Sequence, residues 1–339
     1  MVYLETQLPQ IVFPSELSFL TIVATAGEQS VDVAVRIDSS DILAETLYFD
    51  ADGRVNIYNV GDYVTDYMTA PRLVPLRLSI GDDTYTCTVV PNAVESTVAA
   101  DRWVRSSFLT PLAGDKRTAS DGREHLLVYC PDGNEVVRVT ARFCTDDSLV
   151  VTATAELPDA VKAATLTEID VSPSRIAAVL PSSYGKLVAY QVNVGERVQR
   201  YTLCEGYSSE RMLLFRNSFL SIDSFYFAEL EREVKPARSI ASVGGRKRVY
   251  HIEQTDKYQA TSFPLTDEEL LLADDVACSR SAWLPDGTEV MITENELKYT
   301  SDPSVMPRLT LTWEYPSNRL RHKPYARAVF DETFDKTHE

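Results

Sequence analysis

Apolar and polar side chains alternate over several well-separated stretches, and this period of two most limits what the chain can fold into. Val31, Val33, Val35 and Ile37 are interleaved with Asp32, Ala34 and Arg36. Val137, Val139, Ala141 and Phe143 are interleaved with Arg138, Thr140 and Arg142. Leu309, Leu311, Trp313 and Tyr315 alternate with Thr310, Thr312 and Glu314. Successive side chains of an extended chain point to opposite faces, so each run offers one face to a core and one to water. Regular alternation of strands with long helices is absent, which argues against a parallel sheet. The expectation is a mainly β chain of tandem antiparallel sandwich or barrel-like domains with a few short helices.

Turn chemistry agrees. Asp52-Gly53, Asp132-Gly133 and Asp286-Gly287 each sit between apolar runs, and glycine supplies the positive φ that a tight hairpin needs. Pro131 and Pro285 precede two of them, suiting a type I turn followed by a bulge. Two helices stand out. The first follows Asn59 as N-cap, with Val60, Tyr63, Val64, Tyr67 and Met68 as its stripe and Pro71 beyond its end. The second starts at Thr266, where Thr266 and Glu269 have capping-box spacing and Leu265 and Leu270 suit a staple. In it Leu270, Leu271, Asp274 and Cys278 follow at near-helical spacing. A weaker helical stretch is expected near Asp159 to Leu166.

Length suggests two or three domains, at about 100–200 residues each, for 339 residues. The polar, turn-rich segment Leu112 to Glu124 and the shorter Gly206 to Arg211 read as boundaries. The division expected is 1–118, a β domain with one short helix; 119–210, a β-sandwich; 211–318, a β domain with the capped helix; and a tail, 319–339. The 33 basic and 50 acidic residues give a net charge of −17, which repels phosphate, so neither nucleic acid nor an anionic membrane is expected as partner. No apolar run of about 18 residues occurs, so no spanning helix is expected. The first residues lack the layout of a secretory signal, which implies synthesis in a reducing cytoplasm. Cys87, Cys130, Cys144, Cys204 and Cys278 are odd in number and dispersed, and are expected to be reduced and mostly buried.

Catalytic patterns are missing. His125, His251, His322 and His338 form no metal-ligand pair, and no nucleophile elbow occurs. No cofactor, no metal and no enzymatic activity are therefore expected. Asp82-Asp83, Asp146-Asp147, Asp267 to Glu269 and Asp274-Asp275 are carboxylate clusters, and a glycoside hydrolase would need two such groups facing across a cleft about 5–10 Å wide. Asp50 to Gly53 half resembles a calcium loop but reads as a hairpin turn. Two stretches are candidates for contact with partners. Gly244-Gly245-Arg246-Lys247-Arg248 is a rare basic spot in an acidic chain, without phosphate-loop spacing. The ring-dense segment Phe215 to Phe227, with Phe219, Phe225 and Tyr226, fits either a sandwich core or an exposed surface that stacks on sugar or protein. Trp103, Trp283 and Trp313 read as core residues in or beside strands.

The order of elements adds a family resemblance. A hairpin and helix (YFDADGRVNIYNVGDYVTDYM), an aromatic element (LLFRNSFLSIDSFYF), a capped helix (FPLTDEELLLADDV) and a closing strand (LTLTWEYPSNR) resemble virion structural proteins of Bacteroidetes phages and prophages. The resemblance is to tail or baseplate components in particular. It implies β-rich multi-domain subunits that assemble in rings with copies of themselves and other virion proteins, without an active site. A surface-glycan-binding module and a carboxylate-based glycoside hydrolase are the alternatives.

Overall fold

The computed structural model describes residues 1–316 apart from 26, 93–96, 113, 181–183, 244–245 and 299–305; at 234–239, 241–243, 248–256 and 298 it describes the backbone alone. The tail expected at 319–339 lies outside the described residues.

Alternation in the first third builds two facing sheets. The strands are β1 (Val2–Leu4), β2 (Ile11–Val12), β3 (Phe19–Ala24), β4 (Ser30–Ile37), β5 (Ser40–Tyr48) and β6 (Arg54–Tyr58). Helix α1 (Val60–Tyr67), β7 (Val74–Ile80) and β8 (Asp83–Val89) follow. One sheet has the order β1-β3-β6, the other β2-β8-β7-β4-β5. Val31, Val33, Val35 and Ile37 are buried, as the alternation predicts, and meet Leu20, Ile22 and Ile57 of the smaller sheet. Helix α1 closes one end of this core with Val60, Val64 and Met68. Its entry differs from expectation: Asn59 adopts the left-handed conformation (φ 59°) and its side chain caps nothing. Asn tolerates that conformation, which turns the chain out of β6 and into the helix. Tyr63 stays exposed, so the buried stripe is narrower than the sequence suggests. Gly61 lies so close to Pro14 that a Cβ there would sit 1.9 Å from the Pro14 carbonyl oxygen.

A connecting helix, α2 (Ala100–Ser106), leads to β9 (Asp115–Thr118), β10 (His125–Tyr129), β11 (Glu135–Cys144), β12 (Val150–Val161) and β13 (Leu166–Asp170). Then come α3 (Pro173–Val179), β14 (Lys186–Val194) and β15 (Arg197–Leu203). A five-stranded sheet, β12-β11-β14-β15-β9, faces the pair β10-β13 across a core that includes Val137, Val139, Ala141 and Phe143. The helix expected near Asp159 to Leu166 is replaced by strand: β12 pairs with β11 as far as Val161, which is fully buried. The helix forms later, where Ser172 and Pro173 supply a polar residue followed by proline in the first turn. The segment expected to be a polar linker, Leu112 to Glu124, also supplies structure. Its β9 runs parallel to β15, so the central sheet takes an edge strand from the chain before residue 119.

The last third closes on itself. Strands β16 (Met212–Arg216), β17 (Ile222–Val243), β18 (Arg246–Ser262), β19 (Ala282–Trp283), β20 (Glu289–Lys298) and β21 (Arg308–Glu314) form a closed barrel in the order β16-β17-β18-β21-β20-β19. Helix α4 (Asp267–Ala277) buries Leu272, Ala273 and Val276 against it, beside Leu309, Leu311 and Trp313. The capping box is present: Thr266 Oγ1 accepts from the Glu269 amide at 3.3 Å, and Glu269 Oε2 accepts from the Thr266 amide at 3.0 Å. Leu271 and Cys278 are exposed, because the buried face of α4 is set by Leu272 and Val276 instead.

Of the three Asp-Gly turns, one joins paired strands. Asp286-Gly287 links β19 to β20, with Gly287 at φ 83°. At Asp52-Gly53 the chain also turns, with Gly53 at φ 73°, whereas Asp132-Gly133 is a bend whose glycine does not take the positive φ expected of it; at both, the strands on either side belong to different sheets. A turn dipeptide reverses the chain locally, and packing chooses the pairing partner. All five cysteines are free; Cys87 and Cys130 are buried, and Cys278 is exposed. Trp313 is buried, Trp283 is half-buried, and Trp103 lies half-buried on α2 rather than on a strand.

Candidate functional site

The basic spot occupies the end of a long two-stranded arm. β17 and β18 pair from Phe227 with Ser262 out to Val243 with Arg246. β16 accompanies β17 only as far as Tyr226, and β21 accompanies β18 only from Lys257 back toward the barrel. Beyond those points, among the described residues, neither strand has a third strand beside it. From Glu233 and Asp256 outward each strand has eleven residues, a reach of about 36 Å at about 3.3 Å per residue. Arg246 and Lys247 are exposed at its end, paired with Val243 and Ser242; Arg248 is paired with Ala241. Gly244 and Gly245 lie outside the described residues, as does the side chain of Arg248.

Phe219, Phe225 and Tyr226 are placed elsewhere than a contact surface requires. All three are buried, at 2%, 4% and 5% exposure, so no ring face is open to a sugar or a partner. Phe225 packs in the barrel core against Phe227. Phe219 lies where all three units meet, stacked on Trp103 at 5.5 Å and edge-on to Phe13 at 5.9 Å, in a cluster that includes Leu127 and Tyr129. Burial is the physical reason for the correction: these rings contribute apolar area to internal junctions.

Tyr226 belongs to a buried polar cluster between the central sheet and the barrel. Lys116 of β9 holds Glu124 at 2.7 Å and also pairs with Asp223 of β17. Glu124 is fully buried and accepts from Thr118 Oγ1 at 2.6 Å, Ser224 Oγ at 2.9 Å and Tyr226 OH at 2.9 Å. Asp223 accepts in addition from Thr110 Oγ1 at 3.1 Å and from the Ser224 amide. Burial pulls the Lys116 ammonium down, but the two carboxylates beside it outweigh this and hold it above its ordinary value. The Tyr226 hydroxyl is driven far up by burial and by Glu124, so it remains a donor. Next to this cluster Arg117 pairs with Glu269, the capping residue of α4, and donates to the Pro264 carbonyl. Every charge here is matched by a charge or a hydrogen bond, which is the condition for burying them without loss. The cluster fastens the edge of the central sheet to the barrel. Sequence reading missed it because Lys116 and Asp223 are 107 positions apart, and no local pattern links them. The one local hint is that Lys116 and Thr118 point inward while Asp115 points out, an alternation among polar residues that hydropathy does not register.

A second feature is a cleft of about 410 Å³ between the end of α1 and the end of α4, lined by Thr65, Asn92, Ser218, Asp275 and Arg280 among others. Asp275 Oδ2 accepts from the Ser218 amide at 2.8 Å. Burial, joined by Asp223 and Asp274, pushes its carboxyl up to about 7 despite that bond. Of the other acidic clusters, Asp82 lies in a turn and Asp83 opens β8, Asp146-Asp147 occupy a turn, and Asp267 to Glu269 form the first turn of α4. Among the described residues, no three His, Cys, Asp or Glu side chains gather as metal ligands would, and no helix is long and apolar enough to cross a membrane.

Exposed rings do occur, on the outer face of β1-β3-β6. Phe19 and Tyr58 meet edge to face at 5.4 Å and are 48% and 60% exposed, with Tyr3 on the same face. Thr21 Oγ1 donates to Asn56 at 3.0 Å between them.

No protein-family model and no curated protein matches the sequence. Among solved structures, the chain is similar to one from the virion of a native gene transfer agent particle, at 10% identity and TM-score 0.22, covering 32% of this chain and 94% of that one. It is also similar to a chain from a 1.5-MDa bacterial ice-binding adhesin, at 11% identity and TM-score 0.18, covering 77% and 92%. Likenesses this faint carry no inference about what the chain does.

Proposed function

We propose that this chain is a non-enzymatic structural protein of the virion tail or baseplate kind, working through contacts with copies of itself and with other virion proteins. The observation that carries this reading is the arm: a two-stranded ribbon of about 36 Å projecting from a body whose three β units are fastened by buried groups. Open strand edges and a charged tip are means of joining subunits, and a rigid body holds such an arm in a fixed direction. Electron microscopy of the purified protein, together with mass spectrometry of particles released by its host, tests the reading. Rings or other regular oligomers and recovery in particles are expected; a monomer at every concentration, absent from particles, overturns it.

The exposed Phe19–Tyr58 pair favours a second reading, a surface-glycan-binding module. Rings flanked by an amide and a hydroxyl suit sugar stacking. A glycan array with the intact chain and the Phe19→Ala/Tyr58→Ala variant discriminates: hits lost in the variant favour the module, and an empty array removes it.

A further inference from the structure

We infer that the arm is the surface by which one copy of this chain docks on the acidic body of a second copy, tip first. The inference rests on the structural reading above and names the partner of the arm.

Charge is divided unevenly along the fold. Residues 234–255, the distal arm, contain Lys235, Arg238, Arg246, Lys247 and Arg248 against the single acid Glu253, a net charge of +4. The remaining residues therefore sum to −21. The pairing that produces the arm carries its positive end about 36 Å from the barrel, several times the screening length of about 8 Å at physiological salt. Within one molecule the tip is thus beyond the attraction of its own body. Against a second copy it meets the opposite sign.

Two observations choose arm-to-body docking over arm-to-arm pairing. Two tips of like charge repel. Along β17, Pro236 also stands opposite Gln254. A proline has no amide hydrogen, so the edge of β17 is interrupted at the place where a second ribbon would extend the sheet. An arm that contacts a different surface on its neighbour makes a heterologous contact, which closes into a ring or runs on as a helical array. Ring closure needs no further contact type.

The test is sedimentation of the full chain across protein and salt concentrations, for the wild type and two variants. One is Arg246→Glu/Lys247→Glu/Arg248→Glu; the other replaces 236–254 by a short Asn-Gly hairpin. Circular dichroism and melting serve as controls that both remain folded. The wild type is expected to self-associate at low salt and dissociate as salt rises, and both variants to associate about tenfold more weakly or worse. Oligomers that persist with unchanged salt dependence in both variants overturn the arm as interface while leaving the structural reading standing. A wild-type chain that stays monomeric at low salt and binds duplex DNA through Arg246 and Lys247 overturns it in favour of a nucleic-acid contact. A monomer that binds neither and is absent from particles overturns both.

Discussion

The Lys116 junction and the tip of the β17–β18 arm both carry basic residues, yet in opposite settings. At the junction the ammonium is 5% exposed and two carboxylates close around it within one molecule. At the tip Arg246 and Lys247 are exposed. The first contact has fixed geometry and little freedom, and removing the ammonium leaves two buried carboxylates unmatched. The second is wet and screened, adds little to folding stability, and is suited to forming and releasing with concentration and salt. The same residue types therefore hold the body together in one place and stand open to solvent in another. Burial decides which.

Breaking the junction should have the largest effect. Glu124→Ala leaves Lys116 to Asp223 alone and takes the acceptor from the buried hydroxyls of Thr118, Ser224 and Tyr226, and should cost about 3–5 kcal/mol in denaturant unfolding; a loss below about 1 kcal/mol would show that water reaches the site. Phe219→Ala should follow closely, because the ring fills the meeting place of the three units. A loss of about 3–5 kcal/mol is expected, with one transition splitting into two as the units come apart.

Asp275 gives a pH test of the body. Its folded carboxyl titrates near 7 and its unfolded one near its ordinary value of 3.8, so the folded state holds the proton more tightly. The stability it contributes is present below about pH 4 and is lost as pH rises toward 7. Asp275→Asn should flatten that part of the stability–pH curve and raise the denaturation midpoint at pH 7; an unchanged difference across this range would place the carboxyl in water. Smallest in stability is the arm-tip reversal, expected to change the unfolding free energy by no more than about 0.5 kcal/mol. If it destabilises the chain as much as Glu124→Ala, the contrast between arm and body fails.

What could be read without the structure is local. The alternation at 31–37, 137–143 and 309–315 identifies strands, because the pleat imposes its period on any half-buried sheet. Thr266 and Glu269 mark a helix start, because both atoms of the box lie within one turn. Glycine after aspartate marks two reversals, at Gly53 and Gly287, where the backbone takes the positive φ that glycine allows, and a bend at Gly133. The ring-dense segment was legible as rings fit for a core or a surface, and only burial chooses the core; Leu112 to Glu124 was legible as polar but not as a strand edge with a buried ammonium.

The chain's own pattern thus determined its strand content, two of its helices, its turns and its acidity, all of which arise from interactions a few residues apart. Tertiary structure alone decided that β16 meets β19 to close a barrel, that Phe219 joins three units, and that Lys116 finds Asp223. It also decided that the basic residues near 246 stand at the end of an arm. Those outcomes depend on partners tens to hundreds of positions away, chosen by which surfaces exclude water together, and no short window of sequence contains both sides of such a contact.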